Sequence, residues 1–275
     1  MATHPSELKR SRGRPRTQLN DAATAPVQAL DRGLKLLEMI ANTGPLTLSD
    51  VSLRLGLPAS TVHRLLATLD AHGFVAFDHA TQEWAIGIEC FRTGSSFLQR
   101  TNLVEASRAT LRDLMEASGE TANLAIAADG NVVFISQVET HNPIRAFFRP
   151  GTRGPIHASG IGKAILSTKS RKAVEATLQK HGLEQFTAKT LTSPGAFFDD
   201  LAAAADRGWT LDNEERYEGM RCIAAPIFNA HGEAQAGLSI SGPAVRFPDD
   251  VIAEFGPKVK RAAHEVTELI GGRAP

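Results

Sequence analysis

The segment TLSDVSLRLGLPASTVHRLLATL, residues 47–69, decides the architecture. Thr47 followed three residues on by Asp50 has the spacing of a capping box, so a helix starts there. Leu48, Val51 and Leu55 give it one apolar face, and Gly56 ends it. Pro58, tolerated near a first turn, opens a second helix. Val62, Leu65, Leu66 and Leu69 face inward on it, while Ser60, Thr61, His63, Arg64 and Thr68 face out. Gly73 closes it. Two short helices joined by a glycine turn, the second polar on its outer face, form the helix-turn-helix pattern. An unspecialised three-helix bundle is the plainer alternative.

Upstream, Val27, Leu30, Leu34, Leu37 and Ala41 fall at helical spacing, and Thr43-Gly44-Pro45 stops that helix. Downstream, residues 74–77 and 83–86 flank a turn and predict a β-hairpin, the wing of a winged helix. Residues 1–25 lack Ile, Val and Phe and carry Lys9, Arg10, Arg12, Arg14 and Arg16 against Glu7. That stretch reads as a disordered basic tail. Its Arg12-Gly13-Arg14-Pro15-Arg16 run resembles an AT-hook core, an extended arm that lays arginines in a narrow minor groove. A solubilising tail is the alternative.

The rest of the chain has another texture. A helical run from residue 88 to about 118 begins with a candidate linker or dimer helix. Residues 121–127 and 132–138 flank Asp129-Gly130-Asn131, a strong hairpin signal. Helices follow at residues 162–167 and 170–181. Strands at 220–228 and 234–240 precede a final helix at 249–270. Strand pairs mixed with helices give an α+β domain. The expected organisation is a tail (1–25), a winged helix-turn-helix (26–88), a linker helix (89–102) and a second domain (103–275).

Over its 275 residues the chain has 30 Lys+Arg and 30 Asp+Glu, which excludes a uniformly basic nucleic-acid coat but not a local basic patch. Two cysteines, Cys90 and Cys222, build neither a disulfide framework nor a zinc cage. No apolar run has the length of a membrane span, and the polar, basic N-terminus lacks a signal-peptide core. The reading is a reduced, cytoplasmic, soluble protein with no metal and no cofactor.

Several motifs in order then identify the chain as resembling the IclR (isocitrate lyase regulator) family of bacterial transcription factors. They are ALDRGLKLLE (29–38), LGLP (55–58), STVHRLL (60–66), HASGIGKA (157–164), RGW (207–209), DNEE (212–215), GMRCIAAPIF (219–228) and SISGP (239–243). Within the family the likeness is to the acetate-operon (glyoxylate-bypass) branch, through GSSFLQ (94–99), Arg221-Cys222 and the Arg-Gly-Arg-Pro tail. The resemblance implies a winged helix-turn-helix joined by a helix to a GAF-like, mixed α/β effector-binding domain. It also implies homodimers, often paired into tetramers.

On double-stranded DNA the helix bearing Ser60–Thr68 enters the major groove. Arg64 and His63 reach guanine acceptors, and Ser60 and Thr61 reach phosphates or base edges. The plain alternatives are an exposed His63 without a partner and an intradomain salt bridge for Arg64. In the second domain, Ser159-Gly160-Ile161 precedes a helix, where backbone N–H groups favour a carboxylate; an ordinary glycine turn is the alternative. The resemblance implies that Gly160 and Ile161 supply amides while Asp212, Cys222, Ser239 and Ser241 line the pocket. Asp212 then accepts from a ligand hydroxyl rather than facing the carboxylate. Ile144, Ala146, Ile156 and Met220 are candidates for an apolar wall, or for plain core.

Pro143, Ala146 and Gly154 stand where the acetate-operon branch carries larger apolar groups, which permits a bulkier ligand. The expected function is a repressor answering to a small carboxylate such as glyoxylate or a pyruvate-like 2-oxo acid. An activator of aromatic-acid or allantoin catabolism is the alternative. A cytosolic enzyme built on Cys222 and His157 is remote, because no nucleophile-elbow or Cys–His signature surrounds them.

Overall fold

A computed structural model of the chain describes residues 26–99 and 103–275. The tail with Arg12, Arg14 and Arg16 lies outside the described residues. The chain divides into two compact units, one ending at Ser95 and the other beginning at Ser96.

The first unit contains α1 (Gln28–Thr43), β1 (Leu46–Thr47), α2 (Leu48–Leu55), α3 (Ala59–Ala71), β2 (Val75–Asp78) and β3 (Glu83–Ile86). The capping box is present: Thr47 Oγ1 accepts from the Asp50 amide, and the Asp50 carboxylate accepts from the Thr47 amide. The strands form a three-stranded antiparallel sheet, β1-β3-β2, so the wing hairpin gains a third strand that its own sequence does not announce. Leu36, Ile40, Val51, Val62, Leu66 and Val75 make the core.

Of the five residues at helical spacing, Leu37 packs against this core and the other four do not. Val27, Leu30, Leu34 and Ala41 are exposed, Val27 at 71%, whereas Gly33, Leu36 and Ile40 are buried. The helix has two apolar stripes, and periodicity alone does not say which one packs.

Next come α4 (Ile88–Gln99) and α5 (Leu103–Ser118). The second unit continues with β4 (Thr121–Ala128), β5 (Asn131–Val138), β6 (Arg153–Pro155), α6 (Gly160–Leu166), α7 (Arg171–His181), α8 (Pro194–Arg207), β7 (Thr210–Asn213), β8 (Met220–Phe228), β9 (Ala234–Pro243) and α9 (Asp249–Leu269). Asp129 and Gly130 both take positive φ, 44° and 73°, as a tight two-residue hairpin turn requires. The six strands run in the order β6-β5-β4-β9-β8-β7, antiparallel throughout.

Two cores sandwich this sheet. On one face α5 and α9 pack Leu111, Leu114, Phe255, Val259 and Val266 against Leu124, Ile223, Leu238 and Ile240. On the other, Ile161, Ala164 and Ile165 of α6, with Val174 and Phe197, meet Ala125, Val132, Phe134, Cys222 and Ala224. Strands β6 and β7 and helix α8 are additions to the expected elements. Ser193-Pro194 starts α8 as a cap followed by proline at the first helical position, a readable signal. The result is an α+β, GAF-like domain.

Candidate functional site

Antiparallel partners put their side chains on one face of the sheet, so register builds the site floor. One row crosses four strands as Asp212, Cys222, Ser241 and Thr121. The next row runs Thr210, Ala224, Ser239, Asn123 and Gln137. Between them, Ile223, Ile240 and Ala122 turn to the opposite core. The alternation in Ser239-Ile240-Ser241 therefore places two hydroxyls side by side on the polar face.

Helix α6 ends over these rows. Ser159 is its N-cap, and the hydroxyl accepts from the Gly162 amide at 3.4 Å. Gly160 and Ile161 are thus the first helical residues rather than a turn ahead of the helix. Their amides are among those that no intrahelical carbonyl serves. A Cβ on Gly160 would stand 2.8 Å from Cys222 Sγ, so glycine is what lets the helix come this close to β8.

Ser159, Gly160, Ile161, Asp212, Met220, Cys222, Ser239 and Ser241 all line one cavity of about 500 Å³, its open mouth included. Of the candidate apolar wall, Met220 alone is in the lining. Ile144 is 73% exposed, and Ala146 and Ile156 are buried outside the lining. The apolar surface comes instead from Val132, Phe134, Phe148 and Pro155. The rings of Phe134 and Phe148 stack at 4.5 Å and 7°. Gly154 lines the cavity; Pro143 and Ala146 do not.

Electrostatics sharpen the floor. Burial, with Glu215 as a neighbouring like charge, raises the Asp212 carboxyl to about 7, although its Oδ1 accepts from the Glu215 amide at 2.8 Å. Burial also pushes the Cys222 thiol up to about 12, and Asp212 adds to that. Beneath, Lys163 is fully buried on α6. Burial opposes its charge, yet Glu215 and Asp200 outweigh burial and hold its pKa above the ordinary value. Its Nζ donates to Glu215 Oε1 at 2.5 Å and to the Leu211 carbonyl at 2.6 Å, with Asp200 Oδ2 at 2.9 Å. This pins the segment after β7 to α6.

Sequence reasoning passes over Arg153, Arg216 and Tyr217, which line the same cavity. Arg216 follows the DNEE motif directly, and that adjacency is the signal available for it. Its Nε is buried without a hydrogen-bond partner, a state that costs about 1–3 kcal/mol unless something else meets the group.

His157 does not join Cys222. Its Nε2 lies 3.0 Å from the Glu184 carbonyl oxygen, its ring stacks on Phe186, and it is absent from the cavity lining. A thiol held protonated and without a histidine base is a poor nucleophile.

In the first unit, Ser60, His63, Arg64 and Thr68 are exposed on α3 and Thr61 is half-buried. Thr68 Oγ1 donates to the Arg64 carbonyl at 2.8 Å. Arg64 forms no ion pair among the described residues, so the intradomain salt bridge is not what holds it. No helix among the described residues is long and apolar enough to cross a membrane.

Comparison with known proteins agrees with this division. Residues 29–79 match the IclR helix-turn-helix domain, and residues 95–268 match the family described as bacterial transcriptional regulator IclR C-terminal. The chain is 49% identical over 261 residues to the HTH-type transcriptional regulator BhcR of Paracoccus denitrificans, covering 94% of each. It is 44% identical over 264 residues to the acetate operon repressor of Salmonella typhimurium, covering 95% of this chain and 96% of the other. Of these two, the acetate-operon protein is the less similar, so the expected closeness to that branch holds only in part. The crystal structure of the Thermotoga maritima IclR superposes with a TM-score of 0.74 at 28% identity, covering 89% of this chain and 99% of the other. The relatives are transcriptional regulators, and the chain belongs to the IclR family of DNA-binding bacterial transcriptional regulators.

Proposed function

We propose that this chain is a repressor whose operator binding is released by a small carboxylate held in the cavity of the second unit. The observation that carries the reading is the convergence of Ser159, Gly160, Ile161, Asp212, Met220, Cys222, Ser239 and Ser241 on one cavity. The amides at the start of α6 and the two serine hydroxyls meet the carboxylate. Asp212 takes the hydroxyl of a hydrated aldehyde or orders a water. Glyoxylate and pyruvate-like 2-oxo acids fit that description.

On the DNA, Arg64 and His63 of α3 read bases in the major groove, with Ser60, Thr61 and Thr68 alongside. Arg12, Arg14 and Arg16 of the tail lie in the adjacent minor groove. One module covers too little DNA for specificity, so a homodimer reads a near-palindrome, and two dimers form a tetramer. The exposed Val27, Leu30 and Leu34 of α1 and the exposed Ile88 and Phe91 of α4 supply apolar surface for pairing with a second copy. Helix α4, which leads in sequence from one unit to the other, carries the signal, and the ligand acts by favouring one arrangement of the DNA-binding units.

A thermal-shift screen of the full chain tests the ligand class. A ligand bound only by the folded state adds about 2.7 kcal/mol at a hundredfold excess over Kd. Glyoxylate and pyruvate are expected to raise Tm, and allantoin is not. The aromatic-acid reading is supported by the stacked Phe134–Phe148 wall; it takes over if benzoates raise Tm and 2-oxo acids do not.

A further inference from the structure

Arg216 stands at the rim of the cavity with its Nε buried and unpartnered among the described residues. The side chain is nonetheless held still. Its guanidinium carbon lies 3.8 Å from the centroid of the Phe186 ring and 5.3 Å from that of Tyr217. The backbone around it is clamped as well. Thr187 Oγ1 donates to the Glu214 carbonyl at 2.8 Å, and Thr190 Oγ1 donates to the Glu215 carbonyl at 2.6 Å. A stacked arginine keeps its in-plane N–H edge for an acceptor and matches a carboxylate with a two-pronged fork.

The cavity lining runs from deeply buried hydroxyls to more exposed arginines. Ser239 and Ser241 are 1% and 2% exposed and serve one anionic group, whereas Arg216 is half-buried and Arg153 exposed. The phenyl rings of Phe134 and Phe148 add apolar lining and offer no competing acceptor. A ligand with a single carboxylate on the floor leaves the arginine fork empty.

We infer that Arg216 recognises a second anionic group, and that the effector is a short 2-oxo or 2-hydroxy dicarboxylate with one carboxylate on the floor and one on the guanidinium edge. This rests on the carboxylate reading above, which supplies the floor end.

Calorimetric titration of the full chain with malate and 2-oxoglutarate, against glyoxylate and pyruvate, tests it. The expected result is that the dicarboxylates bind wild type at least about tenfold more tightly than the monocarboxylates. In Arg216→Gln that preference collapses to about unity, and Arg216→Lys, which keeps the charge but not the fork, falls between. Thermal melts of the ligand-free variants check that each is folded. The inference is overturned if wild type shows no preference for dicarboxylates, or if Arg216→Gln keeps it. Failure of wild type to bind any of the four acids overturns the carboxylate reading itself, and the inference with it.

Discussion

The side-chain amide of Asn123 donates to the hydroxyl of Ser241 at 3.2 Å, and to that of Ser239 at 3.4 Å. Gln137 donates to Asn123 Oδ1 at 2.9 Å, which fixes the direction of the amide. Each serine oxygen therefore accepts from behind, and its own hydrogen points onward, where Cys222 Sγ and the cavity offer it acceptors. Asn123→Ala removes that polarity and leaves Gln137 without its acceptor. The variant is expected to lose about 1–3 kcal/mol in denaturant melts and to bind the carboxylate more weakly in calorimetry. Unchanged binding would show that the hydroxyls are oriented by something else.

Asp212 links the site to pH. Burial and Glu215 raise its carboxyl from 3.8 to about 7, so the folded chain holds this proton more tightly than the unfolded one. Stability from this group is therefore greatest at low pH, falls as pH rises between those two values, and levels off above the upper one. Asp212→Asn is expected to stabilise the chain more at about pH 8 than at about pH 5. An anion beside Asp212 favours its neutral form, so carboxylate affinity is expected to be level at lower pH and to fall as pH rises through and above about 7. Parallel Tm profiles for wild type and variant would contradict this.

Lys163→Ala leaves Glu215 buried without its counter-ion. Breaking such a pair costs about 3–5 kcal/mol, whereas replacing both partners by apolar groups is often near neutral. Lys163→Met with Glu215→Leu and Asp200→Leu, which removes both counter-ions, is thus expected to recover most of the stability lost in Lys163→Ala, as read by chemical denaturation. Equal losses in the single and triple variants would mean that the ion pairs are not the source of the cost.

Arg64 is exposed on α3, so its removal is expected to leave the melting temperature unchanged. Loss of a base contact from Arg64→Ala should cost about 1–3 kcal/mol of discrimination between operator and non-operator DNA. Footprinting with unchanged sequence preference would assign base reading to other residues of α3.

The legible parts of the molecule are those where local chemistry and tertiary packing agree. The Thr47–Asp50 capping box and the Asp129-Gly130 turn are local events, and each appears where its residues stand. The serine pair was reached through the family resemblance; alternation along β9 puts both hydroxyls on one face, and their meeting with Asp212 and Cys222 depends on register across three strands. The packed face of α1 was not legible, since Val27-Leu30-Leu34 and Gly33-Leu36-Ile40 both satisfy helical spacing and contact with α3 and β3 selects the second. The apolar wall was misplaced for a similar reason. Phe148 reaches the cavity through its stack on Phe134, a long-range contact without a sequence signature. Arg216 was passed over because its place depends on Phe186, thirty positions upstream in the chain.

A cavity that controls DNA binding without taking part in it separates two properties, effector response and operator affinity. Operator binding by wild type and Ser241→Ala, measured by fluorescence anisotropy with and without glyoxylate, pyruvate, malate or 2-oxoglutarate, tests that separation most directly. Both proteins are expected to bind the operator equally in the absence of acid, and acid is expected to release wild type but not Ser241→Ala. A variant that loses operator binding yet still takes up the acid in calorimetry would contradict it.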